Sequence, residues 1–283
     1  MAIESYDSRE FKSTYFALRI GLIFSAALVL LAPLSVLAFE GSAPPSISDS
    51  WYTDARTIFV LGLAAGACLL VVVRGDTLTE QVLLNVAGGL GLLVAGAACW
   101  PKDGSGESLG AYDPDVARLN EYAVGALLAT ALTAWAVGTV LPSKLVGSGW
   151  NVSGYVKWAL QGLAPALVIG GLVAFVKDRT WLAEHIHGPA AVAMFVLLGC
   201  VALLRTTLGV KLLMLIGDTP VDDSLSSVHI EQTERANTRL SGFDAIYTAV
   251  AIGMVVVVVV AAILASNEAK PGLVLIVEAL LLG

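Results

Sequence analysis

Residues 16–39 read FALRIGLIFSAALVLLAPLSVLAF. One charge, Arg19, lies near the start, and the rest is apolar or small. A helix needs about 20 mostly apolar residues to cross the hydrocarbon core of a bilayer. This run meets that length. It exceeds the usual 7–15-residue core of a secretory leader, and Glu4, Asp7 and Glu10 dilute the basic residues Arg9, Lys12 and Arg19 in front of it. Ser35-Val36-Leu37-Ala38 only loosely imitates a cleavage region, so the segment reads as a retained span, Phe16–Phe39.

Six more runs of the same kind follow: Ala55–Val73, Gln81–Trp100, Tyr122–Leu141, Tyr155–Val176, Gly188–Leu204 and Phe243–Ala265. An eighth, Gly272–Gly283, starts after Lys270-Pro271 and is too short to span unless tilted. The expected fold is therefore all-α: one polytopic transmembrane helical bundle over residues 1–283, with seven spans and a partial eighth. Composition agrees. The 283 residues are 57% hydrophobic and 14% charged, with a mean hydropathy of +0.81. Soluble domains run nearer 45–50% apolar and about 25% charged. Both a soluble globule and low-complexity disorder are thus excluded.

The net charge of −7 and the lack of a dense basic patch argue against nucleic acid as a partner. Cys68, Cys99 and Cys200 fall inside apolar runs and read as small buried hydrophobes with inert thiols. Lys and Arg divide ten against six between alternate sides, which favours a cytoplasmic N-terminus. The partners expected are the lipid bilayer and another membrane protein or a second copy of the chain. No cofactor is expected.

Two helix-packing signals stand out. Gly62-x-x-x-Gly66 lies in the second span, and Gly162, Ala166, Gly170 and Ala174 recur every four residues along the fifth. Such small residues let helix backbones approach closely in lipid. Ionisable groups inside apolar runs are costly and usually functional. Glu278 is the main instance and the candidate for an ion- or proton-linked role, with Asn85 and Gln161 as companions along a path. At the outer rim, Ser46, Ser48, Asp49, Tyr52, Asp54 and Arg56 precede the second helix, and Asp178, Arg179, Glu184, His185 and His187 precede the sixth. Ser48 or Asp54 is expected to cap the second helix, and Tyr52, Arg56 and Glu278 are binding candidates.

A membrane zinc hydrolase of the alkaline-ceramidase type would use Ser, Asp and three His near one face. Here Ser48, Asp54 and His187 would be the catalytic candidates, with His185 and His187 as metal ligands. That family's helix-borne His-x-x-x-His is absent, and His229 falls on the other side of the expected topology. Gly-x-Ser-x-Gly, phosphate-loop and Rossmann motifs are also absent.

Several short runs occur in series: Ser46-Ile47-Ser48-x-x-x-Tyr52-Thr53-x-x-Arg56-x-x-Phe59-Val60, Leu84-Asn85-x-Ala87-Gly88, Trp100-Pro101, His187-x-x-Ala190-Ala191-x-x-Met194-Phe195, and Arg235-x-Asn237-x-Arg239-x-x-Gly242. With Glu278 after them, their order resembles a broad group of uncharacterised bacterial multi-span membrane proteins that share a domain of unknown function. The resemblance implies a bundle of roughly eight helices, with Ser48, Tyr52, Asp54, Arg56, His187 and Glu278 near one outer pocket. It implies no activity. Three functions stay open: a non-enzymatic assembly or envelope-lipid-organising component of the bacterial inner membrane, a small transporter using Glu278, and an outer-leaflet lipid hydrolase.

Overall fold

A computed structural model of the protein describes residues 2–73, 75, 77–101, 113–140, 166, 168–206 and 252–253. It is all-helical, with no strand among the described residues. The helices are α1 (Ala2–Glu40), α2 (Arg56–Val72), α3 (Leu78–Gly96), α4 (Pro114–Val140), α5 (Val168–Lys177), α6 (Arg179–His185) and α7 (His187–Leu204), with a 3-10 turn at Ser48–Tyr52. Helix α2 packs against α1 and α3, α3 packs in turn on α7, and α4 packs on α3 and α6.

Among the described residues, three segments are long and apolar enough to cross a membrane: Phe16–Glu40 within α1, Thr79–Gly96 within α3, and α7. Large apolar side chains face outward along α1, with Phe16, Ile23 and Phe24 each about two-thirds exposed. Leaving such a side chain in water forgoes roughly 1.5–3 kcal/mol relative to burying it. The protein is therefore membrane-associated in character. The spans expected at Phe243–Ala265 and Gly272–Gly283 lie outside the described residues apart from 252–253, as does the first part of Tyr155–Val176.

Local chemistry sets the helix boundaries. Helix α1 starts well before Phe16, because only its later part needs lipid, and it stops at Gly41, whose φ of 76° suits a residue without a Cβ. Helix α3 begins earlier than Gln81, since the Thr77 side chain accepts the Glu80 amide and caps it. It also ends before the expected Trp100. Ala97 is already extended, and Pro101 disfavours helical geometry at the residue before it. Helix α4 starts at Pro114 rather than Tyr122, with Asp113 Oδ1 accepting the Asp115 amide at 2.8 Å. Proline suits the first helical position because its missing N–H would have no partner there.

Glycine governs the α1–α2 seam. A Cβ on Gly62 would lie 2.9 Å from Val29 Cγ2 and 3.0 Å from the Val29 backbone nitrogen, and one on Gly66 would strike Ser25 Oγ. Ser25 Oγ donates to the Gly62 carbonyl at 2.7 Å, an interhelical hydrogen bond that the close approach permits. Gly62→Ala is expected to cost about 1–3 kcal/mol, because a backbone atom cannot swing aside. Gly66→Ala should cost less, since Ser25 can rotate. Unfolding in detergent measures both, and wild-type stability for Gly62→Ala would contradict this seam.

Only part of the ridge expected along the fifth span falls on described residues. Among the described residues a Cβ on Gly170 would meet nothing within 4 Å, whereas one on the next residue, Gly171, would lie 3.0 Å from Leu128 of α4. Ala174 does pack beside Phe175, Val124 and Leu182. Ala166 is exposed and Gly162 lies outside the described residues. Contact with α4 therefore runs along Gly171 and Phe175, a quarter-turn or so from the repeat.

Candidate functional site

The site forms where α3 unwinds. Residues 97–101 leave the helix at the end of the bundle that also holds the 3-10 turn and the starts of α2, α4 and α7. Ala97 and Ala98 are fully buried, so each backbone group that the helix no longer satisfies needs a partner. Side chains from three other elements supply these partners. Asn120 of α4, itself fully buried, accepts the Ala98 amide through Oδ1 at 2.8 Å and donates Nδ2 to the Ala98 carbonyl at 3.3 Å. His187 Nδ1 contacts the Ala97 carbonyl at 2.6 Å, and the Tyr52 hydroxyl donates to the Cys99 carbonyl.

A carbonyl only accepts, so His187 Nδ1 must carry a proton. In the neutral ring Nε2 is then an acceptor, and it faces Ser48 Oγ at 3.3 Å. Next to it the Ser46 hydroxyl donates to Asp49 Oδ2 at 2.7 Å, while Cys99 Sγ donates to the Ser48 carbonyl at 3.2 Å and to Asp49 Oδ1 at 3.7 Å. Sequence-expected Ser48 and His187 thus meet across 139 positions, with Tyr52 on the same unwound segment.

Asp54 does not join them. The 3-10 turn carries Asp49 inward and leaves Asp54 exposed on the chain that enters α2. Neither Ser48 nor Asp54 caps α2. Its N-cap is Ala55, which makes no side-chain cap bond. His185 and His187 part company as well: His185 stacks on Trp181 at 5.1 Å and meets Trp100 edge-on, away from Ser48. The bend at Ile186 between α6 and α7 separates the two rings. Among the described residues no group of three His, Cys, Asp or Glu side chains is placed to hold a metal ion.

Cys99 is buried, but its thiol is engaged in hydrogen bonds rather than inert packing, and Cys68 and Cys200 are exposed on their helices instead of buried. Asn85 is spent on its own helix, where its Oδ1 accepts Gln81 Nε2 at 2.9 Å. Gln161 and Glu278 lie outside the described residues. Asp49 belongs to the rim group expected from the sequence, whereas Cys99 and Asn120 are not among the expected site residues. The available signal was Trp100-Pro101, which ends α3 early and leaves buried amides and carbonyls to be satisfied.

Beside this cluster a groove of about 460 Å³ opens on the flank of the bundle. Val60 and Leu61 of α2 line one side and Leu119 and Ala123 of α4 the other, with the small residues Ala95 and Gly96 of α3 between them. Arg56 and Trp51 also line it, and the Arg56 guanidinium stacks 3.4 Å over the Trp51 ring. Ser48, Asp49, Cys99 and His187 take no part in its lining. The far end of the bundle is closed differently, by Arg205 of the α7 terminus, whose Nε donates to Glu80 of α3 at 2.8 Å.

Comparison with protein-family models, with curated proteins and with solved structures finds no match.

Proposed function

We propose that the chain is a non-enzymatic polytopic protein of a bacterial inner membrane that organises envelope lipid or assembles with another membrane component. In this reading the N-terminus is cytoplasmic, seven spans and a partial eighth cross the bilayer, and the unwound end of α3 faces outward. The serial motifs of the uncharacterised bacterial membrane proteins fit the same picture. One observation carries the reading. The polar side chains of the rim are bonded to one another and to the unwound backbone, while the concave surface beside them is apolar. Buried polar groups engaged in this way act as a fastener, and the accessible chemistry that is left suits lipid.

Extraction of the full chain from its own membrane into polymer-bounded bilayer discs, with lipid analysis and mass determination, tests this. A lipid class enriched over the bulk membrane, or a stoichiometric partner, is the expected result. A lone monomer in lipid of bulk composition contradicts it.

A second reading, acyl transfer from Ser48, is favoured by the 3.3 Å contact with an oriented His187. A serine nucleophile also needs donors for the developing oxyanion, commonly backbone amides. The amides of Asp49 and Ser50 already donate to the Ser46 and Ile47 carbonyls. A fluorophosphonate probe is therefore expected to leave the wild-type protein unlabelled; labelling abolished by Ser48→Ala would establish the hydrolase instead.

A further inference from the structure

Arg56 opens α2 and is the one charged residue lining the flank groove. Among the described residues no carboxylate pairs with it; its guanidinium rests only on the Trp51 face. A cation over an indole keeps its edge N–H groups available, because the stack uses the planar face. Thr57, next in the helix, adds an exposed hydroxyl to the same lining. The first turn of α2 holds no acidic residue and has no side-chain cap, so its partial positive charge is not offset there. The remainder of the groove is aliphatic.

The depth of this cation in the membrane can be read from its neighbours. Tyr52, Trp100, Tyr122 and Trp181 gather at the same end of the bundle, and Tyr122 and Trp181 are exposed. Trp and Tyr concentrate where hydrocarbon meets headgroups, since one end of each ring system is apolar and the other polar. Arg56 thus stands at headgroup level, and the aliphatic walls run from it toward the hydrocarbon. A volume of about 460 Å³ lies within the usual ~300–1,000 Å³ of small-molecule sites.

We infer that the groove between α2 and α4 binds one anionic phospholipid, with its phosphate on Arg56 and Thr57 and an acyl chain along Val60, Leu61 and Ala123. Charge complementarity selects this occupant. A lone cation at the mouth of an apolar trough matches an amphiphile with a negative head. The inference rests on the lipid-organising reading and names the lipid class and the residues that hold it.

Native mass spectrometry of the delipidated full chain, titrated with phosphatidylglycerol or phosphatidylcholine, tests it. One phosphatidylglycerol should bind in preference to phosphatidylcholine. Arg56→Gln should weaken phosphatidylglycerol about tenfold or more and erase the preference, and Arg56→Lys should restore most of it. Leu61→Trp, at an exposed wall position, and Ala123→Phe should weaken both lipids, with unfolding curves confirming that each variant folds. Glycerophosphate alone should not compete. Competition by glycerophosphate would mean a simple anion site and overturn the inference. Phosphatidylglycerol preference that survives Arg56→Gln and both groove variants would place lipid binding elsewhere, leaving the broader function standing while this site falls. Absence of any lipid preference in the wild type, with a lone monomer in bulk lipid in the discs, would remove both.

Discussion

Replacing Asn120 by alanine is expected to destabilise the protein by about 2–5 kcal/mol, among the largest effects of any single polar substitution in the described bundle. The side chain makes two hydrogen bonds to the backbone of one buried residue, to the amide and the carbonyl of Ala98 at 2.8 and 3.3 Å, where water does not reach. Deleting a partner from a buried donor or acceptor costs about 1–3 kcal/mol each. Tyr52→Phe removes the bond from the hydroxyl of a half-exposed residue to the carbonyl of Cys99 and should cost no more than about 1–2 kcal/mol. Asn120→Asp retains the acceptor for the Ala98 amide but turns an oxygen toward the Ala98 carbonyl, so it should not rescue. Unfolding in detergent, followed by circular dichroism, gives the ranking. Equal losses for Asn120→Ala and Tyr52→Phe would mean that the unwound segment is held by packing instead.

The second large effect is expected at the opposite end. Glu80 is almost fully buried at the start of α3, and Arg205, about a quarter exposed, reaches it from the α7 terminus. Removing one partner of a buried ion pair costs about 3–5 kcal/mol, because the other charge stays in a poor solvent. The partial exposure of Arg205 lowers the figure for Glu80→Ala to about 2–3 kcal/mol, since the long side chain can turn its head to water. Arg205→Ala should cost more, about 3–5 kcal/mol, as Glu80 has no such escape. The double substitution should cost less than the sum of the two, the mark of a direct interaction. Strict additivity would show that the pair does not hold α3 to α7.

Both sites illustrate what a linear reading can reach. Apolar runs located α2 and α7 to within a residue, because lipid solvates any sufficiently long apolar helix and little else decides its position. The boundaries of α3 and α4 followed different rules. Thr77 with Glu80 three residues on is a start signal, Pro101 an exit signal, and Asp113-Pro114 another start, all independent of hydropathy. The meeting of Ser48 with His187 was foreshadowed by their expected placement on one rim. Asp49 and not Asp54 joins them because Asp49 lies inside the 3-10 turn and is buried, whereas the turn ends at Tyr52 and an extended Thr53 leaves Asp54 outside it. Asn120 stayed hidden for another reason. Attention to titratable groups passes over an amide, although an amide is what an unwound peptide unit requires. The Glu80–Arg205 pair, 125 positions apart, arises only from the antiparallel docking of α3 and α7.

The groove connects these parts. Its walls belong to α2 and α4, which the Asn120 clasp and the glycine seam hold on either side of the α3 end. Its cation is the first residue of α2, and its depth follows from the early exit of α3 before Pro101. Weakening Asn120 should therefore also loosen lipid retention, even though Asn120 does not line the groove.

In the proposed reading the rim end of the bundle meets lipid through the α2–α4 groove. A density map of the full chain in phosphatidylglycerol-containing bilayer discs tests it most directly. The expected result is elongated density along Val60, Leu61 and Ala123, ending in a headgroup within hydrogen-bond reach of Arg56. A groove filled by the chain's own residues beyond 206, or by a second copy, would contradict it, as would Arg56 paired with a carboxylate and facing no lipid.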